Sequence, residues 1–123
     1  MAATPIYDLV IPKGVPLRLS IELENTDGTP KDITGYTFAA QIKKDYNDPS
    51  AFLSASVSIV GAATNGEIRV ELTKSQVDQL NASWNESGAP TAHYFWDLLG
   101  DNGSFEFKIL RGKAIPEPTV TSI

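Results

Sequence analysis

Alternation of apolar and polar residues at period two runs through most of this chain and restricts it to strands. In residues 16–24, PLRLSIELE, Leu17, Leu19, Ile21 and Leu23 fall on one side and Arg18, Ser20, Glu22 and Glu24 on the other. That is a strand with one buried and one wet face. Wound as a helix, the same residues would scatter their apolar side chains around the axis. The pattern returns in YTFAAQIK (Tyr36, Phe38, Ala40 and Ile42 against Thr37, Ala39, Gln41 and Lys43) and in AFLSASVSIV (Leu53, Ala55, Val57 and Ile59 against three serines). It returns again in EIRVEL, with Ile68, Val70 and Leu72 inward, and in HYFWDLL, with Tyr94, Trp96 and Leu98 on one side and Phe95, Asp97 and Leu99 on the other. SFEFKIL sets Phe105, Phe107 and Ile109 against Glu106 and Lys108.

Turn chemistry separates these runs. A short strand over roughly Tyr7–Ile11 is closed by Pro12 and Gly14. NTDGTPKDITG is long for a hairpin and reads as a loop that changes sheets. Within it Asp32 or Thr34 can bond local backbone groups, and Gly35 can take a positive φ. Asn65-Gly66 is the strongest local hairpin signal and makes 51–60 and 67–72 antiparallel neighbours. Thr73 and Gln76 form a capping box for one short helix, with Val77 and Leu80 on one face and an end near Asn81–Ser83. Residues 113–123, with Pro116 and Pro118, read as an edge strand or an extended tail, since proline cannot serve two neighbours in a sheet.

The expected architecture is therefore all-β: an antiparallel, immunoglobulin-like β-sandwich of seven or eight strands with one short helix, occupying residues 1–123 as a single domain. A small barrel is the alternative. The length of 123 residues suits one domain, and no linker or repeat divides it.

Composition removes most chemistry. Zero Cys excludes thiolate catalysis, zinc–thiolate sites and disulfides. The one histidine, His93, starts an apolar strand, and Asp97, four residues on, lies roughly 13 Å away. Glu22, Glu24, Glu67 and Glu71 belong to solvated strand faces interspersed with Arg18 and Arg69, rather than to a facing catalytic pair. Neither Asp27 and Asp32 nor Asp97, Asp101 and Asn102 follow a calcium-loop order. No phosphate-binding glycine motif is present, and a net charge of −5 with only Lys43-Lys44 as a basic pair points away from nucleic acid. No apolar run reaches the roughly 20 residues of a membrane span. No cofactor is expected.

Contact surfaces remain. Tyr94 and Trp96 suit the core, whereas Phe95 and Leu99 on the opposite side need a second layer or a partner. Trp84 reads either as a lid over the core or as an exposed platform for sugar. The candidate protein-contact residues are Phe95, Leu99, Trp84, Val120 and Ile123, and the candidate loop-structural residues are Asp32, Thr34, Gly35, Asn65 and Gly66.

The order of these segments resembles the immunoglobulin-like N-terminal module of tailed-phage baseplate upper proteins and related stand-alone virion proteins. The resemblance is carried by Tyr7–Ile11 with Lys13-Gly14, by GTPKDITGYTF over 28–38, by Gln41-Ile42-Lys43 and by GEIRVELT over 66–73. Tyr94–Leu98, Arg111-Gly112-Lys113 and Val120-Thr121 complete it. It implies a non-enzymatic structural or assembly protein located in the virion (baseplate, tail, neck or capsid-associated). Its partners would be other phage virion proteins and further copies of itself, as a homo-oligomer, with no nucleic acid and no membrane. A carbohydrate-binding or host-attachment module is the alternative, and a small hydrolase with converging carboxylates is a more distant one.

Overall fold

The alternating segments form seven strands: β1 (Leu9–Pro12), β2 (Leu17–Glu22), β3 (Thr37–Lys43), β4 (Leu53–Ile59), β5 (Glu67–Leu72), β6 (Tyr94–Asp101) and β7 (Glu106–Glu117). One helix, α1 (Lys74–Asp78), and a 3₁₀ turn at Ala63–Asn65 interrupt them. The computed structural model describes residues 4–120, so Ile123 and Thr121 lie outside the described residues.

The strands follow one another in the order β1-β7-β6-β3-β4-β5-β2. Every pairing is antiparallel except β1 with β7, where Leu9 to Pro12 run parallel to Ala114 to Glu117. The result is a nearly closed, mixed seven-stranded barrel, which corrects the expected immunoglobulin-like sandwich of two open sheets. The deciding strand is β4. Its first half pairs with β3 (Leu53 opposite Ile42, Ala55 opposite Ala40), and its second half pairs with β5 (Ser56 opposite Glu71, Ile59 opposite Ile68). A strand that hands its ladder from one neighbour to the next turns the sheet through a corner and joins what would otherwise be two layers. Period two cannot reveal this, because barrel and sandwich strands both alternate in and out.

The inward sets are those expected for β2 to β6. Ile68, Val70 and Leu72 of β5 and Leu98 of β6 are almost wholly buried, with Tyr94 and Trp96 beside them. Each fully buried aliphatic side chain contributes about 1.5–3 kcal/mol. Ile33, from the β2–β3 loop, and Val77 and Leu80, around α1, are buried to 0% exposure and belong to the same core. The void bounded by Leu9, Leu17, Ile42, Leu72 and Trp96 is only about 10 Å³, so side chains fill that part of the interior and leave no room for a ligand.

Local chemistry follows the sequence closely at α1. Thr73 Oγ1 accepts from the Gln76 N–H at 3.1 Å, and Gln76 Oε1 accepts from the Thr73 N–H at 3.0 Å. Gln76 Nε2 also donates to the Ser54 carbonyl, which ties α1 to β4. The helix is shorter than expected, ending at Asp78 with Gln79 as its cap.

β4 and β5 pair antiparallel, as the Asn65-Gly66 signal predicts. Asn65 and Gly66 do not themselves form a two-residue type I′ turn, since only Gly66 has a positive φ, at 68°. Gly66 instead ends the 3₁₀ turn and lies against the Leu23 and Lys31 carbonyls, closer than a Cβ would allow. Phe105 is not inward: it sits in the turn before β7 and is mostly exposed. Lys113–Glu117 belong to β7: Lys113 and Ala114 pair with β6, Ala114–Glu117 pair with β1, and from Ile115 on the strand has one neighbour. Pro116 lies past the end of the β6 pairing and has β1 as its only ladder neighbour, which is why the sheet tolerates it.

A candidate contact face on strands β3, β6 and β7

The outward side of β6 carries Phe95, Asp97 and Leu99, each half-buried. Their cross-strand neighbours are Lys43, Gln41 and Ala39 on β3, and Lys113, Arg111 and Lys108 on β7. Residues 44–52 leave β3 and return Tyr46 over this surface. The Tyr46 and Phe95 rings stack with centroids 4.3 Å apart and planes inclined by 32°. His93 meets Phe95 edge-on at 5.0 Å. Three rings thus gather outside the core, and Tyr46 remains 51% exposed. Beside them Gln41, Lys43, Asp97 and Leu99 line a shallow depression of about 190 Å³.

Phe95 and Leu99 therefore share one site, which Tyr46, His93 and Lys113 also enter. Register brings Lys113 there, and a loop brings Tyr46; neither is visible in a linear pattern. Trp84 is elsewhere. Its indole N–H donates to the Pro116 carbonyl at 2.7 Å and it is half-buried, holding the 81–92 loop against β7. Trp84 and Pro90 form an isolated bridge that closes this loop on itself. Val120 is fully exposed beyond β7.

Asp32, Thr34 and Gly35 build a turn as anticipated. Asp32 Oδ1 accepts from the Thr34 N–H at 3.0 Å and from the Thr34 hydroxyl at 2.6 Å, while Gly35 has φ 79°. Asp27 makes the same contacts with Thr29. These hydroxyl and amide bonds hold both aspartates below the usual carboxylate range, the hydroxyl being the larger influence. Asp78 is lowered as well, chiefly by its bond from Lys74. All three act in loops or at the helix end, outside the aromatic face.

Ion pairs among the described residues are Arg18–Glu71 at 3.4 Å and Lys74–Asp78 at 2.9 Å. Neither Lys43 nor Lys113, beside Phe95, takes part in an ion pair among the described residues. Among the described residues no three His, Asp or Glu side chains gather to hold a metal ion, and no helix is long and apolar enough to cross a membrane. No protein-family model matches the chain, and no curated protein matches it. What the face does has to be read from its geometry: aromatic area for burial, cations at its margin, and one carboxylate, Asp97, in its floor.

Proposed function

We propose that this chain is a non-enzymatic structural or assembly protein of a tailed-phage virion, docking through the outward face of β3, β6 and β7 onto other virion proteins. The observation that carries the contact reading is the ring cluster of Tyr46, Phe95 and His93 on the outside of the barrel. Aromatic side chains placed there with cations at the rim are the composition of a protein-contact centre. The motif order described above supports the phage assignment, although the sandwich it implied is replaced by a barrel. Virions purified from the encoding phage should contain the chain at fixed stoichiometry by mass spectrometry, and a Phe95→Asp gene should yield particles lacking it. Absence of the chain from purified particles overturns the assignment.

Sugar recognition is the second reading, favoured by Gln41 and Asp97 beside Tyr46. The ring geometry supports it less well. Tyr46 covers one side of Phe95, so the two rings do not lie side by side as a platform. Trp84 donates its indole N–H to the Pro116 backbone and offers no second ring to the site.

A further inference from the structure

Two faces of the barrel differ in charge. Three successive outward rows across β3, β6 and β7 read Lys43–Phe95–Lys113, Gln41–Asp97–Arg111 and Ala39–Leu99–Lys108. These rows hold four cations and one carboxylate, and Asp8, which accepts from the Lys113 N–H, adds a second carboxylate at their edge, leaving a net +2 in a chain whose total is −5. Across β2 and β5 the rows are Arg18–Glu71, Ser20–Arg69 and Glu22–Glu67, and Glu24 follows just beyond β2. Arg18 is the ion partner of Glu71. Glu22 and Glu67 stand directly opposite each other, a like-charge pairing that disfavours a ladder. Like Glu24, they have no ion partner among the described residues. Each patch has what the other lacks.

We infer that the Glu22–Glu24–Glu67 end of one copy docks onto the Phe95 face of a second, so that copies of this chain join head to tail. The inference rests on the reading of the Phe95 face as a contact surface and names its occupant. A two-fold contact of Phe95 faces is disfavoured, because it would bring Lys43 and Lys113 of both copies together. A head-to-tail contact instead sets carboxylates against those lysines while Phe95, Tyr46 and Leu99 lose water. Each copy then keeps one free patch of either kind, so assembly closes into a ring or continues as a filament.

Sedimentation velocity on the full chain at low ionic strength tests this. Wild-type mass should rise with concentration. Lys43→Glu with Lys113→Glu, and separately Glu22→Lys with Glu67→Lys, should each weaken association by at least about tenfold while circular dichroism stays unchanged. Mixing equal amounts of the two variants should restore association, because one retains the acidic end and the other the Phe95 face. A monomeric wild type overturns the inference, as does a folded mixture that stays monomeric. Wild-type association by the Glu22→Lys/Glu67→Lys variant also overturns it, in favour of a two-fold aromatic contact. A monomeric wild type whose Phe95→Asp form is still lost from virions defeats head-to-tail pairing alone. Normal incorporation of Phe95→Asp defeats the contact reading beneath it.

Discussion

The indole N–H of Trp96 donates to the Tyr7 carbonyl at 2.9 Å, joining residues 89 positions apart. The Tyr7 ring meets the Trp96 ring edge-on, with centroids 6.5 Å apart. The same stretch is pinned twice more, since the Tyr7 N–H donates to the Arg111 carbonyl and Asp8 accepts from the Lys113 N–H. The segment before β1 is thus fastened over β6 and β7, and Trp96 gains a partner for its one polar atom inside the core.

Trp96→Phe keeps most of the apolar area but removes that donor. It should destabilise the fold by about 1–3 kcal/mol, the range for a buried hydrogen bond lost with its acceptor left behind. Urea denaturation followed by circular dichroism gives the value. Trp84→Phe, at a half-buried site, should lose about 1 kcal/mol.

Gly66→Ala should be worse than Gly28→Ala. Both glycines have positive φ, which costs a residue with a side chain about 1–2 kcal/mol. A Cβ at Gly28 meets open space, whereas at Gly66 it would come within 2.6 Å of the Leu23 carbonyl and 2.7 Å of that of Lys31. Thermal melts of the two variants should separate clearly, with Gly66→Ala the lower.

Neighbouring leucines on β6 should respond very unequally. Leu98 is wholly buried, and Leu98→Ala should destabilise by about 2–5 kcal/mol. Leu99 points to the contact face, and Leu99→Ala should cost less than about 1 kcal/mol. The two denaturation midpoints measure the difference, and near-equal losses would contradict the assigned inward and outward sides.

Acid should weaken the two Asx turns. The Thr29 and Thr34 hydroxyl and amide bonds hold Asp27 and Asp32 below the ordinary aspartate value in the folded chain, so the unfolded chain binds more protons as pH falls. Their contribution is fully present above the unfolded value and is lost as pH drops through the lower folded values. Asp27→Asn with Asp32→Asn keeps an acceptor but removes the titration. Its stability profile below about pH 4 should be flatter than that of the wild type, and a parallel profile would show that these turns contribute nothing to acid sensitivity.

Much of this molecule was legible locally. Thr73 and Gln76 announce α1, Asp32-Ile-Thr-Gly35 announces its turn, and the inward rows of β2 to β6 are set by alternation alone. Each depends on residues within a few positions of one another. The contact face was only half legible. Phe95 and Leu99 stand out as apolar residues on the wrong side of a strand, but Lys113 arrives beside Phe95 through register and Tyr46 through a loop excursion. Alternation does not decide between the sandwich and the barrel named as its alternative, because closure depends on β4 changing partner midway, which leaves the alternation of Leu53, Ala55, Val57 and Ile59 undisturbed.

The alternation of β7 breaks for a different reason. Leu98 pairs with Leu110 but Leu99 pairs with Lys108, so Ile109 is an extra residue in that strand. Before it, odd-numbered Phe107 packs toward the interior over Gly100; after it, even-numbered Gly112, Ala114 and Pro116 do. Strict alternation carried on from Phe107 and Ile109 would turn Arg111 and Lys113 inward; the bulge absorbs Ile109 as the extra residue, and Arg111 and Lys113 reach the outside. Removing Ile109 would leave a regular ladder, with Lys108, Arg111 and Lys113 still outward and Leu110, Gly112 and Ala114 still inward. The outer face of this protein is thus insulated from the length of β7, because the ladder skips the one residue that breaks its alternation.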